Sequence, residues 1–325
     1  VTLDWNTTED TLGVAASYVY SGLRPTLSTS IARWPGEGVL WRADTFQTFH
    51  MENLYASVGV DLSLPELIEF VGIGADLTGW WSFATDRPVV ADDPGQNTPF
   101  ETEDDARYGL RLRWSYGRTD RYAYSISTEL GVNLGLSFEL FLAAFGNPSD
   151  TFSLTWNADV FLPLAYARGH VLALLYDAGI RGGPEADRGL FYVGGLPQQN
   201  LVQDLLNRAG LYGSYLRGFF PGAFSGDVFH QLSAEYRLPL WDIYQGLSTL
   251  PVSLERLSGS VFSDMALIYV GQDPTLENFH ASVGAELQLR ANILYGLPAL
   301  FRLGYARALT PPVADQVYFV LGGGF

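Results

Sequence analysis

Residues 279–293 read FHASVGAELQLRANI. Phe279, Ala281, Val283, Ala285, Leu287, Leu289, Ala291 and Ile293 alternate with His280, Ser282, Gly284, Glu286, Gln288, Arg290 and Asn292. Successive side chains of a β-strand point to opposite faces, so this period of two gathers one apolar face and one polar face. A helix would scatter both sets around its circumference. The run is long for a soluble strand, which averages about 5–6 residues. It is long enough for a tilted strand crossing a bilayer, which needs roughly 9–11.

The same alternation recurs along the chain. Leu54, Ala56, Val58, Val60 and Leu62 interleave with Asn53, Tyr55, Ser57, Gly59 and Asp61, and Tyr108, Leu110, Leu112, Trp114 and Tyr116 with Gly109, Arg111, Arg113 and Ser115. Residues 152–162 set Ser153, Thr155, Asn157 and Asp159 against an apolar face, and 122–141 keep the pattern for twenty residues. It predicts strands near 2–7, 11–20, 25–34, 53–64, 68–83, 106–117, 121–142, 151–163, 168–181, 226–239, 258–270, 278–294, 298–309 and 315–325.

The connections alternate in length. SGLRP, SLPELI, GRTDRY, LAYARG and YGLPA are short, whereas 35–51, 84–105 and 182–225 are long. Short turns at one end and long loops at the other belong to outer-membrane barrels, in which the apolar face meets lipid and the polar face lines the lumen. Two connections break the rule: 240–257 is long for a turn and GNPSD is short for an outside loop. Residues 200–208, LVQDLLNRA, read as a short helix within the longest loop. Fourteen strands, an even number, put both termini on one side, the periplasmic one.

Composition agrees with this class. Of 325 residues, 47% are hydrophobic and 14% aromatic, yet mean hydropathy is only +0.08, as alternating faces average out. No run approaches the 18 or so uninterrupted apolar residues of a transmembrane helix. The net charge of −16 argues against nucleic acid as a partner. All 19 residues of the Lys+Arg total are arginine, which reads as compositional bias. There is no cysteine, so no disulfide and no cysteine-bound metal. The chain opens with VTLDWN and shows no signal peptide.

Enzyme motifs are missing. His50, His170, His230 and His280 fit no metal spacing, and no nucleophile elbow or P-loop occurs. By parity, His230 shares the lipid side and His280 the lumen side. The acidic run Glu101, Glu103, Asp104, Asp105 reads as a solvated outside loop, and Asp92-Asp93-Pro-Gly lacks the spacing of a calcium loop. The reading is a non-enzyme without cofactor or metal.

The chain closes with QVYFVLGGGF, in which Val317, Phe319, Leu321 and Phe325 share one face and Gly322, Gly323 and Gly324 sit in the last strand. An aromatic final residue resembles the signal read by the outer-membrane assembly machinery. Upstream, in order, come FYVGG (Phe191, Tyr192, Gly194, Gly195), LRGF (Arg217, Gly218, Phe219), SAEYRLPL with Glu235, and VFSDMALIY with Asp264. This succession resembles the carboxyl-terminal barrel of the outer-membrane assembly factor superfamily, the BamA-type insertases and two-partner secretion transporters. The resemblance is specific over 168–325 and generic before it. The loop motif departs conservatively in starting with Leu216, where Val or Ile is commoner. Family barrels have sixteen strands, and fourteen are read here.

The resemblance implies an all-β antiparallel transmembrane barrel of 14–16 strands spanning 1–325. Its sixth outside loop, 182–225, returns into the lumen, and a soluble amino-terminal domain lies outside this chain. It further implies that Arg217 latches onto Glu235 and Asp264 on the inner wall, and that the seam between first and last strands opens to template an incoming strand. Glycines 322–324 would leave that seam weakly packed. The implied partners are outer-membrane lipid, unfolded outer-membrane or secreted polypeptides, and periplasmic or lipoprotein partners acting through the missing module. The implied location is the outer membrane of a Gram-negative bacterium. The parity of the residues agrees on side: Glu235 shares a face with Gln231 and Ser233, and Asp264 with Ser258 and Ser260. Two other readings stay open: a passive porin-like channel, and an anchor for a missing soluble domain such as a propeller.

Overall fold

The structure, a computed structural model, describes residues 2–6, 11–42, 45–65, 69–84, 105–122, 124–185, 187–195, 215–220, 222–246, 250–271, 274–294, 297–311 and 315–323. The strands are β1 (Thr2–Asn6), β2 (Thr11–Tyr20), β3 (Thr26–Arg42), β4 (Thr45–Pro65), β5 (Phe70–Ala84), β6 (Asp105–Asp120), β7 (Leu130–Phe141) and β8 (Thr151–Pro163). They continue as β9 (Val171–Gly182), β10 (Phe191–Val193), β11 (Phe224–Gly226), β12 (Val228–Gly246), β13 (Val252–Tyr269), β14 (Phe279–Ile293), β15 (Leu297–Ala308) and β16 (Asp315–Gly323). Fourteen form one sheet in sequence order from β1 to β16, with β9 bonded directly to β12. The skipped β10 and β11 pair with each other inside the long loop. No helix among the described residues is long and apolar enough to cross a membrane.

Strand contacts gather into two units: residues 1–62, 73–112 and 139–150, and residues 63–72, 113–138 and 151–325. In the first, β3 pairs with β4 along its whole length, from Thr26↔Asp61 to Arg42↔Thr45. The second holds the long loop and all the residues of the LRGF site.

Four stretches differ from the sequence reading. Residues 35–51 are a paired extension of β3 and β4, not a long loop. Pro35, Gly36 and Gly38 resemble loop residues, but cross-strand bonding and the strand-forming Val39, Trp41, Phe46 and Phe49 prevail. Residues 240–257 are likewise mostly strand: β12 reaches Gly246 and β13 starts at Val252. Register shifts between Pro239 and Trp241 and between Asp242 and Gln245 hide this, because each bulge inverts the alternation. Conversely, 121–129 is a turn rather than the start of a strand. The buried Ser125 hydroxyl accepts from the Tyr122 amide at 3.0 Å and donates to Glu129 at 2.7 Å, which closes the turn. The loop 182–225 carries the β10–β11 ladder. The helix read over 200–208 and most of the acidic run (101–104) lie outside the described residues, as do Gly324 and Phe325.

In the second unit, alternation sorts β12–β16 into two faces. Gln231, Ser233, Glu235, Ser258, Ser260, Asp264, Ser282 and Glu286 are buried on the face that the long loop covers. Val261, Val283, Leu287, Leu303, Val317 and Phe319 are exposed on the other. The covered face is not uniformly polar: Phe262, Ala266, Ile268, Ala306 and Ala308 share its parity and are buried. They meet the loop rather than water, so apolar side chains are stable there.

Candidate functional site: the returning loop and its arginine

The site starts from one local requirement. Gly218 has φ +93° and lies close to the wall, where an added Cβ would be 3.2 Å from the Ala308 amide nitrogen. Only glycine takes that conformation without strain. Its amide donates to the Gln316 side chain of β16 at 3.0 Å. On either side, Leu216 and Phe219 are buried with Val193, Ala266, Ile268 and Ala308 in one apolar cluster. Phe219 meets Phe224 edge-on at 5.2 Å, and Phe224 stacks on His280 at 3.5 Å.

The two loop motifs read separately in sequence form one piece. The Leu216 amide donates to the Gly194 carbonyl at 2.9 Å, and the Gly195 amide to the Phe220 carbonyl at 3.0 Å. A Cβ at Gly194 would collide with the Phe220 carbonyl oxygen, and one at Gly195 with that of Phe219. The glycine pair thus lets the FYVGG backbone lie directly against LRGF. Phe191 itself packs on Phe229 of β12 at 4.8 Å, while Tyr192 is exposed.

With the loop so placed, Arg217 points into the wall and is only 4% exposed. Its Nε donates to Asp264 Oδ2 at 2.7 Å and its Nη2 to Asp264 Oδ1 at 2.7 Å, a bidentate pair. The Arg217 amide donates to the same carboxylate at 3.1 Å. Nη2 also lies 2.8 Å from Glu235 Oε1 and 2.9 Å from Ser233 Oγ. Ser233 in turn donates to Asp264 Oδ1 at 2.6 Å. The guanidinium carbon lies 3.5 Å from the centre of the Phe262 ring. Burial opposes the Arg217 charge, but the Asp264 hydrogen bonds and the Glu235 charge outweigh it and raise its pKa above the ordinary value. Asp264 is 0% exposed, so these donors stand in for the water its side chain has lost.

A second network adjoins the first. Glu235 Oε2 accepts from Arg237 Nε at 2.8 Å. Glu286 accepts from Arg302 at 2.8 and 3.0 Å, from Tyr318 at 2.9 Å and from Gln288 at 2.6 Å. Tyr318 belongs to β16, so the last strand meets the loop through Gln316 and the wall network through Tyr318.

The structure therefore brings Arg217, Gly218, Phe219, Glu235, Asp264, Gly194 and Gly195 into one site. Val317 and Phe319 are set apart from it, on the exposed face of β16. Gly322 and Gly323 pair with Leu300 and Ala299, and Leu321 with Phe301. Sequence reasoning missed Ser233, Phe262, Glu286, Arg302, Gln316 and Tyr318 as participants. Their inward parity was readable; their pairing depends on register across β12–β16. His230 lies on the opposite face, bonded to Tyr176 at 2.8 Å and edge-on to Trp156.

Fourteen antiparallel strands in sequence order, with a long loop returned onto the inner wall through a buried arginine, define an antiparallel β-barrel that holds its own loop. Solved structures share that fold. The chain is similar to BamA from Haemophilus ducreyi lacking POTRA domains 1–3, with TM-score 0.63, 15% identity, 96% of this chain and 62% of that chain. It is also similar to CdiB from Escherichia coli, with TM-score 0.59, 11% identity, 95% of this chain and 52% of that one. CdiB from Acinetobacter baumannii gives 0.59, 12%, 95% and 49%. The chain thus spans about half to three fifths of the length of these proteins. No family model matches the sequence, and no curated protein matches it.

Proposed function

We propose that this chain is an outer-membrane barrel that inserts or translocates polypeptides, without nucleotide, metal or redox chemistry. The observation that carries the reading is the buried Arg217–Asp264–Glu235 contact, reached from a loop that also bonds the last strand through Gly218 and Gln316. A passive pore needs an open lumen, whereas here a loop tied to the last strand lies across the inner wall. A barrel whose wall must open and reclose gains from such a loop: it braces the late strands while the edge of the closing strand is exposed. Unpaired strand edges are costly in lipid, so an opened edge pairs readily with an incoming strand. In this reading both termini face the periplasm, the exposed apolar face meets lipid, and partner lipoproteins act through segments outside this chain.

The test is reconstitution. Purified chain in liposomes should speed insertion of an unfolded outer-membrane protein over empty liposomes. A cysteine pair joining the first and last strands should abolish that gain and reduction should restore it; the cysteine-free sequence makes such a pair unambiguous. No acceleration, together with a large steady conductance, would favour the porin.

A further inference from the structure

Five arginines line a cavity of about 310 Å³ on the loop-covered side of β12–β15, and three of them have carboxylate partners. Arg217 is held by Asp264 and Glu235, Arg237 by Glu235 and Arg302 by Glu286. Arg121 and Arg290 have no carboxylate within ion-pair distance among the described residues. Among the described residues, Arg290 reaches the Ile126 carbonyl, at 3.4 Å. The charges of Arg121 and Arg256 oppose its own, while Glu255 and Tyr244 favour it. Arg256 is already held by Asp242, by the Tyr244 hydroxyl at 2.9 Å and by the Tyr124 carbonyl.

The turn at 121–129 builds this place. Ser125 closes it, Arg256 and Arg290 hold its carbonyls to the wall, and Arg168 covers the Tyr124 ring at 4.7 Å. Arg121 is thereby delivered to the cavity opposite β14. Ser127, Thr128 and Gln288 add neutral hydrogen-bonding groups to the lining. The carboxylates of Asp159 and Glu235 also line the cavity, but five guanidinium groups outnumber them, a local reversal of sign in a chain of net charge −16. Like charges in a partly desolvated site are unfavourable unless an anion compensates them. Guanidinium forks match the geometry of carboxylate and phosphate oxygens. The volume sits at the lower end of small-ligand sites, roughly 300–1,000 Å³.

We infer that this cavity binds a small water-soluble oxyanion, carrying a phosphate or carboxylate group, between Arg121 and Arg290. The site is independent of polypeptide handling, since it is read on the purified barrel alone. Thermal unfolding of the detergent-solubilised full chain is followed by tryptophan fluorescence, at fixed ionic strength, with inorganic phosphate, succinate or chloride. A saturable rise in Tm with phosphate or succinate, absent with chloride, is the expected result, and whichever anion acts identifies the group bound. Arg121→Gln and Arg290→Gln should each weaken the apparent affinity at least about tenfold, as expected for losing a charge-assisted contact. Arg307→Gln, at an exposed arginine outside the cavity, should leave it unchanged. Arg121 lies on an exposed turn, so its variant keeps the test valid if Arg290→Gln fails to fold. No saturable shift with either anion, or equal shifts in wild type and Arg121→Gln, would overturn the site.

Discussion

Polar side chains are used differently in two regions. In β3 and β4 they bond sideways to the neighbouring strand: Ser28 to Asp61 at 2.9 Å, Ser30 to Ser57 at 2.6 Å, Arg33 to Glu52 at 2.5 Å. All of these are half-buried or exposed. In β12–β16 the buried Ser233, Glu235 and Asp264 bond both to residues of the wall and to Arg217 of a loop lying across them. Sheet register alone suffices for the first arrangement. The second needs chain that leaves the sheet and returns, which turns weakly bound surface polar groups into a desolvated network.

The contrast can be broken by substitution, most severely at the loop. Arg217→Ala leaves Asp264 buried without its main donor, and should cost about 3–5 kcal/mol, whereas Arg33→Ala should cost at most about 1 kcal/mol. Urea unfolding in detergent measures both; equal losses would erase the distinction between the regions. Next, Gly218→Val introduces a branched side chain at φ +93° against β15 and should cost roughly 1–3 kcal/mol. Limited proteolysis should then cut within 182–225 faster than in wild type, and unchanged cutting would mean the loop tolerates the strain. Ser233→Ala removes one donor while Arg217 still serves Asp264, so about 1 kcal/mol is expected. The smallest effect sharpens the comparison from the other side. Ser30→Ala should stay within about 0.5 kcal/mol. Raising salt should weaken the exposed Arg33–Glu52 pair and leave the Arg217 network almost untouched, which a salt series on Arg33→Ala and Arg217→Ala would read directly.

Much of the sheet was legible because alternation is a local property. Residues 279–293 declare both faces without any partner, and the parity of Ser233, Glu235 and Asp264 identified the side on which they are buried. Legibility failed where local pattern and pairing disagree. Pro35, Gly36 and Gly38 masked a ladder that only the opposite strand stabilises. The bulges near Pro239 and Asp242 inverted the alternation within one hairpin. At 121–129 the alternation continued into a turn that Ser125 closes by side-chain bonding.

The site divides along the same line. Arg217, Glu235 and Asp264 were singled out by motif resemblance, supported by parity; nothing local in 215–220 says where the arginine goes. Alternating apolar and polar residues were enough to place most strands of the large sheet and to tell their two faces apart, because each strand carries its own two-sided pattern. The meeting of FYVGG with LRGF, the approach of Gly218 to Ala308, the tie to Gln316 and the Arg121–Arg290 cavity came only with the folded chain. Each depends on bringing together residues up to 169 positions apart along the sequence, and no local pattern encodes such distances.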